Sequence, residues 1–305
     1  MNRKDISLKK KKIFIIFLIV FFSSFKIKKK IKKKKRMQSK NLDLKNINNK
    51  NHKIIEQSQI NEYAKGKNFL FSSVGDNTTF DNLWFGQNMN YDVYVIYYGD
   101  NLKNFNKYKS KVKFIESRKG SKFQNFNYFY HKYPEIINQY DRFFILDNDI
   151  ILSVNEINRM FYFSRKYNLD ICGPSFSNKG KISHKITRNK VNILLSYTNF
   201  VEVNVPLFNK IALENLMNKY DNCLIEWGVD FFYIYCNGKE KERSYAIIHD
   251  VKCINPRERN KKSKNRELNL ISNSKNKIRI YLEFCKKNNI KPYFRHKVYK
   301  NITSV

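Results

Sequence analysis

An open α/β sheet flanked by helices is the fold this sequence predicts, and three observations predict it. Short apolar runs alternate with helical periodicities along most of the chain. The runs stop at turn-forming or acidic residues: Val74 before Gly75-Asp76, Tyr98 before Gly99-Asp100, and Leu146 before Asp147-Asn148-Asp149. The run Phe143-Phe144-Ile145-Leu146 is apolar at every position, as a strand buried on both faces requires.

The elements follow in order. Asn68 to Val74 reads as a first strand, Tyr91 to Tyr98 as a second and Val112 to Ile115 as a third. After Lys119-Gly120-Ser121-Lys122, the residues Phe123, Phe126, Tyr130, Tyr133 and Ile137 recur at spacings of three and four, which predicts a helix. The apolar run from Phe143 is a central strand. Ser153-Val154-Asn155-Glu156 has the spacing of a capping box and opens a helix with Ile157, Met160 and Phe161 on one face. Ile171 to Pro174 is a further strand. The second half is mixed: a strand over Phe200 to Phe208, a helix over Ile211 to Tyr220, a helix from Trp227-Gly228-Val229-Asp230 through Tyr235, a strand over Ser244 to His249, and a last helix over Ile278 to Lys287. There are no internal repeats. The expected organisation is a basic leader with a short apolar segment (1–36), a polar linker (37–66), one main domain (67–258) and a basic, partly helical C-terminal extension (259–305).

Charge narrows the partners. The chain has 60 Lys and Arg against 26 Asp and Glu, a net charge of +34. Such a field favours anionic partners: nucleic acid, acidic lipid or phosphorylated ligands. Lys, Asn and Ile are abundant throughout, and AT-rich coding accounts for part of the excess equally well. Five Cys, with no close pair, indicate neither a disulfide framework nor a zinc site and suit a reducing compartment. In the leader, residues 13–25 are apolar-leaning, shorter than the roughly 20 residues of a comfortable span. The heavier basic flank follows this run, so the positive-inside rule keeps the body in the cytoplasm. The leader is expected to be a short anchor or a segment lying on an anionic membrane surface; a start at Met37 would instead leave a soluble cytoplasmic protein.

The chemistry centres on Asp147 and Asp149. They follow an apolar strand, where ligands bind in open α/β sheets. Acidic side chains one residue apart can share a hard divalent cation that neutralises a diphosphate. Asp230, near a helix start in Trp-Gly-Val-Asp, is a candidate general base with Glu226 as its rival; the plainer role for Asp230 is to favour the helix N-terminus by its charge.

Eight blocks occur in order: FSSVGD (71–76), VIYYGD (95–100), KGSKFQNFN (119–127), FFILDNDI (143–150), ICGPSF (171–176), FVEVNVPLF (200–208), EWGVDFFYIYC (226–236) and IIHDVKCINP (247–256). Together they resemble the domain-of-unknown-function family 707, which is itself similar to glycosyltransferases of the A-type (GT-A) fold. The resemblance runs from about Phe69 to Pro256. It implies a Rossmann-like mixed sheet flanked by helices and a metal-dependent transfer of a sugar from a nucleotide-diphosphate donor, UDP-linked, to a glycan, lipid or other hydroxyl acceptor. It implies that Mn²⁺ or Mg²⁺ is held by Asp149 with Asp147 and His249, Asp147 also serving the ribose. Ser72, Gly75, Tyr98 and Lys122 would line the nucleotide site, Tyr98 stacking on the base and Lys122 meeting phosphate. His184 and Arg188 sit in a basic loop that would touch the diphosphate or acceptor, and Trp227 would form an acceptor wall or pack in the core. Asn148 departs from the acidic residue common at the middle of the triplet. Two other function classes compete: a basic nucleic-acid-binding protein, for which no helix-turn-helix, zinc-finger or RNP-like motif is present, and an inactive membrane-surface scaffold of the same fold.

Overall fold

The first described strand lies in the interior of a sheet. A computed structural model describes residues 67–76, 78–257 and 274–303. The expected leader and the expected linker lie outside the described residues. β1 (Asn68–Val74) is buried along its whole length. It is followed by α1 (Phe80–Leu83), β2 (Asp92–Tyr97), α2 (Leu102–Lys109), β3 (Phe114–Ser117), α3 (Lys122–Lys132), α4 (Pro134–Ile137) and β4 (Arg142–Ile145). Then come α5 (Val154–Lys166), β5 (Ile171–Phe176), β6 (Ile193–Thr198), β7 (Leu207–Asn209), α6 (Lys210–Met217), α7 (Val229–Asn237), β8 (Tyr245–Cys253), α8 (Lys277–Lys287) and β9 (Val298–Thr303).

The strands form one nine-stranded mixed sheet in the order β3-β2-β1-β4-β7-β5-β8-β6-β9. β1 pairs in parallel with both β2 and β4, and β2 with β3. β7 is antiparallel to β4 and β5, and β6 is antiparallel to β8 and β9. The chain builds outward from β1 through β2 to β3 and then returns to place β4 on the other side. That reversal makes the carboxyl ends of β1 and β4 a topological switch point, where open α/β sheets bind ligands.

Alternation along the strands makes two apolar layers. Phe69, Phe71, Phe143 and Ile145 point to the layer shared with α3, α6, α7 and α8. Leu70, Val74, Phe144 and Leu146 point to the opposite layer, shared with α1, α2 and α5. Aromatic rings dominate the first layer: Phe69 stacks on Tyr94 at 4.4 Å, and Phe71 meets Phe126 edge-on at 5.0 Å. α5 starts as its sequence requires, with Ser153 Oγ accepting from Glu156 N at 3.3 Å and Glu156 Oε2 accepting from Ser153 N at 2.7 Å.

Three expectations are corrected. The run Phe200 to Phe208 predicts a strand, but only Leu207–Asn209 joins the sheet. Val205 N donates back to Glu202 O at 3.2 Å, and Pro206 has no N–H to offer a ladder. Residues 200–206 are therefore a buried turn lying against β5, where a side chain on Gly173 would meet Val201 and Val205 at 3.0–3.1 Å. The strand from Ser244 does not end at His249 but runs on to Cys253, with a register shift opposite Pro174/Ser175 that leaves His249 in an irregular stretch. The residues after 258 are not an appendage where they are described: Tyr281, Phe284, Cys285 and Ile290 belong to the first apolar layer, and β9 pairs with β6. All described residues fall within one compact unit, Ile55–Val305. Among the described residues, no helix is long and apolar enough to cross a membrane.

Candidate active site

The turn after β4 is built by backbone hydrogen bonds. Ile150 N donates to Asp147 O at 3.2 Å, Thr79 N donates to Asn148 O at 3.3 Å, and Thr78 Oγ1 donates to the same carbonyl at 2.6 Å. Ile151 and Ile254 exchange hydrogen bonds of 3.0 and 3.2 Å just beyond. A short acidic triplet is thus held at the carboxyl end of β4, beside that of β1. Asp147, Asn148 and Asp149 are all half-buried.

Asp147 faces the layer that carries α3 and α7. Its Oδ1 pairs with Lys122 Nζ at 2.6 Å, and its Oδ2 accepts from Asn204 Nδ2. Lys122, the first residue of α3, is 3% exposed and also donates to Val203 O at 2.7 Å. Lys122, expected to meet phosphate, has its ammonium on Asp147, beside the triplet. Glu226 closes the group: its Oε1 accepts from Lys122 N at 2.7 Å, tying the start of α3 to the approach to α7. Burial and the charge of Asp147 push the Glu226 carboxyl above its usual range, while Lys122 pulls the other way. Glu226 itself is left-handed, with φ 55°. Such a conformation in a non-glycine residue persists only where its surroundings over-determine it. The backbone bond to Lys122 makes Glu226 the weaker of the two base candidates.

Asp230 lies in the first turn of α7 and is 5% exposed. Its Oδ1 accepts from Phe231 N at 3.0 Å. Burial pushes its carboxyl up to about 7, against backbone hydrogen bonds that favour the charged form. His184 Nε2 stands 3.8 Å from Asp230 Oδ2. Burial, with His296 nearby, lowers the His184 imidazole to about 4, so the two do not form an ion pair at neutral pH. Glu202 was not among the residues expected here. It is 3% exposed, its Oε2 accepts from Thr187 Oγ1 at 3.2 Å, and Ser183 also hydrogen-bonds the carboxylate. Burial first, and then the charges of Asp230 and Asp147, push it up to about 7. Its signal in the sequence was an acid isolated inside the apolar run FVEVNVPLF; Asn204 stands in the same run.

The nucleotide-lining residues divide. Ser72 is fully buried and donates to Leu146 O at 2.8 Å, fastening β1 to β4. Gly75 accepts from Tyr108 at 3.4 Å through its carbonyl. Tyr98 is half-buried beside the triplet, its hydroxyl accepting from Asn148 Nδ2 at 3.4 Å. Arg188 is exposed. Trp227 is half-buried, edge-on to Tyr281 at 5.7 Å and Tyr293 at 5.8 Å.

His249 does not join the aspartates. Its Nδ1 accepts from Lys190 N at 3.2 Å, and its Nε2 lies 2.8 Å from Ser196 Oγ, which donates in turn to Asn301 Oδ1 at 2.7 Å. Both ring nitrogens are committed, Nδ1 to the loop before β6 and Nε2 to β6 and, through Ser196, to β9. Among the described residues, no three His, Cys, Asp or Glu side chains are grouped to hold a metal ion. The expected ligand set of Asp147, Asp149 and His249 is therefore not assembled. The two carboxylates still suit Mg²⁺ or Mn²⁺, which bind through one or two carboxylates with substrate phosphates completing the shell.

No curated protein matches this chain. Solved structures superpose on it at low identity. S. aureus TarS superposes with a TM-score of 0.43 and 11% identity over 63% of this chain and 37% of that one. GalNAc-T7 with UDP, GalNAc and Mn²⁺ gives 0.49 and 11% over 71% and 48%. The mannosyltransferase PcManGT from Pyrobaculum calidifontis, in complex with GDP-Man and Mn²⁺, gives 0.44 and 9% over 67% and 64%. This chain spans less than two thirds of the length of each. The family model described as "Protein of unknown function (DUF707)" matches residues 29–291, reaching past the expected limit at Pro256 to take in α8, and the chain belongs to that family.

Proposed function

We propose that this chain is a glycosyltransferase that moves a sugar from a nucleotide-diphosphate donor to a hydroxyl acceptor. The observation that carries the reading is the pairing of an acidic triplet at the β1/β4 switch point with a buried carboxyl, Asp230, held at about 7 at the start of α7. In this reading Asp149 and Asp147 hold a divalent cation, Mn²⁺ or Mg²⁺, which would neutralise the departing diphosphate. Tyr98 flanks the base of the donor. Lys122 holds Asp147 in place and supplies positive charge where the diphosphate develops its own. Asp230 accepts the proton of the acceptor hydroxyl; its position near neutrality makes it ionised often enough to act and basic enough to take the proton. The donor is a UDP-sugar and the acceptor a glycan or lipid-linked sugar. The leader would bring the protein to an anionic membrane surface on the cytoplasmic side.

The test is thermal stabilisation by UDP or GDP with and without Mn²⁺. The expected result is a metal-dependent rise in Tm that Asp149→Ala abolishes while near-UV circular dichroism is retained. No shift with any nucleotide and metal pair sinks the proposal. Tight duplex binding that survives moderate salt would support a nucleic-acid partner instead.

A further inference from the structure

The segment between α8 and β9 crosses in front of α7. Asn199 clamps it: its Nδ2 donates to Arg295 O at 3.0 Å, and its Oδ1 accepts from Lys297 N at 2.7 Å. Thr198 Oγ1 adds a bond to Lys297 O at 2.9 Å. The clamp sets His296 against Phe200 and Phe231, with ring centroids 4.1 and 5.8 Å apart. It also sets Tyr293 edge-on to Phe231 at 5.4 Å and to Trp227 at 5.8 Å. Tyr293 stays 38% exposed despite these neighbours, and Trp227, Phe231 and His296 are half-buried. An aromatic shelf therefore begins at the residue next to Asp230 and is completed by the C-terminal segment. Close to Asp230 lies the buried carboxyl of Glu202.

We propose that Trp227, Phe231, Tyr293 and His296 form a subsite for a neutral sugar ring of the acceptor, with one of its hydroxyls directed to Asp230. The inference rests on the transferase reading for its meaning, but its geometry stands apart from the triplet. A pyranose has an apolar C–H face and a rim of hydroxyls. Aromatic rings take the first and buried carboxyls the second. The charge of the shelf argues against other occupants. Burial lowers both His184 and His296, so neither supplies a cation for a phosphate at neutral pH. The Lys297 ammonium sits over Tyr299 at 4.6 Å, turned to another ring. A cationic occupant would meet the field of a chain carrying +34.

Trp227 offers a direct probe, because the only other tryptophan, Trp84, is fully buried. Intrinsic fluorescence of the full chain is followed while methyl glucoside, methyl galactoside, methyl mannoside, N-acetylglucosamine, lactose, maltose and chitobiose are titrated. The expected result is a saturable change with at least one sugar, lost in Trp227→Phe. Tyr293→Ala weakens it by about tenfold, and Tyr293→Phe, which keeps the ring, restores it. No response to any sugar of the panel overturns the proposal, as does a response only to tetramethylammonium or only to phosphatidylglycerol vesicles. The nucleotide–Mn²⁺ thermal shift is measured on the same samples. A thermal shift without a sugar response removes the subsite alone; a sugar response without a thermal shift removes the transferase reading and leaves the subsite.

Discussion

At the scale of single residues, two buried charges make opposite demands. Asp230 is 5% exposed and held at about 7, so its charged form is scarce below that value. Activity is expected to rise with pH along a limb near 7, and Asp230→Asn to lose about 100-fold or more in kcat/KM. The sign for stability runs the other way. An acid raised on folding stabilises below its unfolded value of about 4 and loses that contribution as pH climbs through about 7. Asp230→Asn should therefore melt above the parent at pH 8 and lose that advantage near pH 4, which differential scanning calorimetry reads. Lys122 and Asp147 are the converse case. Lys122 is 3% exposed and paired with Asp147. Asp147→Asn leaves a buried ammonium without its counter-charge, a cost of about 3 kcal/mol in urea unfolding. Asp149→Ala is thus the cleaner test of metal binding.

At the scale of elements, the launch of α7 decides where Asp230 points. Gly228 precedes the helix with φ 84°, and a Cβ there would come within 2.5 Å of the Tyr281 ring. Gly228→Ala combines backbone strain with a clash and is expected to cost about 2 kcal/mol or more, lowering the urea midpoint and activity together. α5 is a simpler case. Its capping box satisfies two backbone donors, so Ser153→Ala should cost about 1 kcal/mol with kcat unchanged. Both helices were legible in the sequence, α5 from its Ser-x-x-Glu spacing and α7 from Trp-Gly-Val-Asp. The buried turn 200–206 was not, because an apolar run looks the same whether or not its N–H groups enter a ladder.

At the scale of the whole molecule, the C-terminal segment closes the structure. β9 pairs with β6, and Ser196, His249 and Asn301 join three strands by hydrogen bonds. His249 is 3% exposed, and burial lowers it to about 4 from 6.5. A histidine lowered on folding contributes stability above its unfolded value and loses it as pH falls. This site alone should weaken the fold by about 3 kcal/mol between pH 6.5 and 4. Urea midpoints across that range check this, and His249→Asn should flatten the dependence. A chain ending at Arg257 would lack Tyr281, Phe284 and Cys285 from the first apolar layer and is expected not to unfold cooperatively.

Local pattern determined most of the first half. β1, β2, β4, α3 and α5 follow from apolar runs and three-four spacing, because a strand buried on both faces and an amphipathic helix leave their marks on neighbouring residues. The triplet was legible for the same reason, standing just past the most continuous of those runs. β9 was not: its residues are exposed or half-buried, and a polar edge strand has no apolar period to display. The company kept by Asp147 also lay beyond the sequence. Lys122, Glu202, Asn204, Glu226 and Asp230 come from three separate segments, and only folding brings them together. Burial then sets their charge states, since desolvation depends on what surrounds a group in space rather than along the chain. The sequence by itself determined a two-faced α/β sheet with carboxylates at its switch point. Tertiary structure alone decided that His249 ties strands together, that Lys122 pairs with Asp147, and that Tyr293 and His296 pack on Phe231, the neighbour of Asp230.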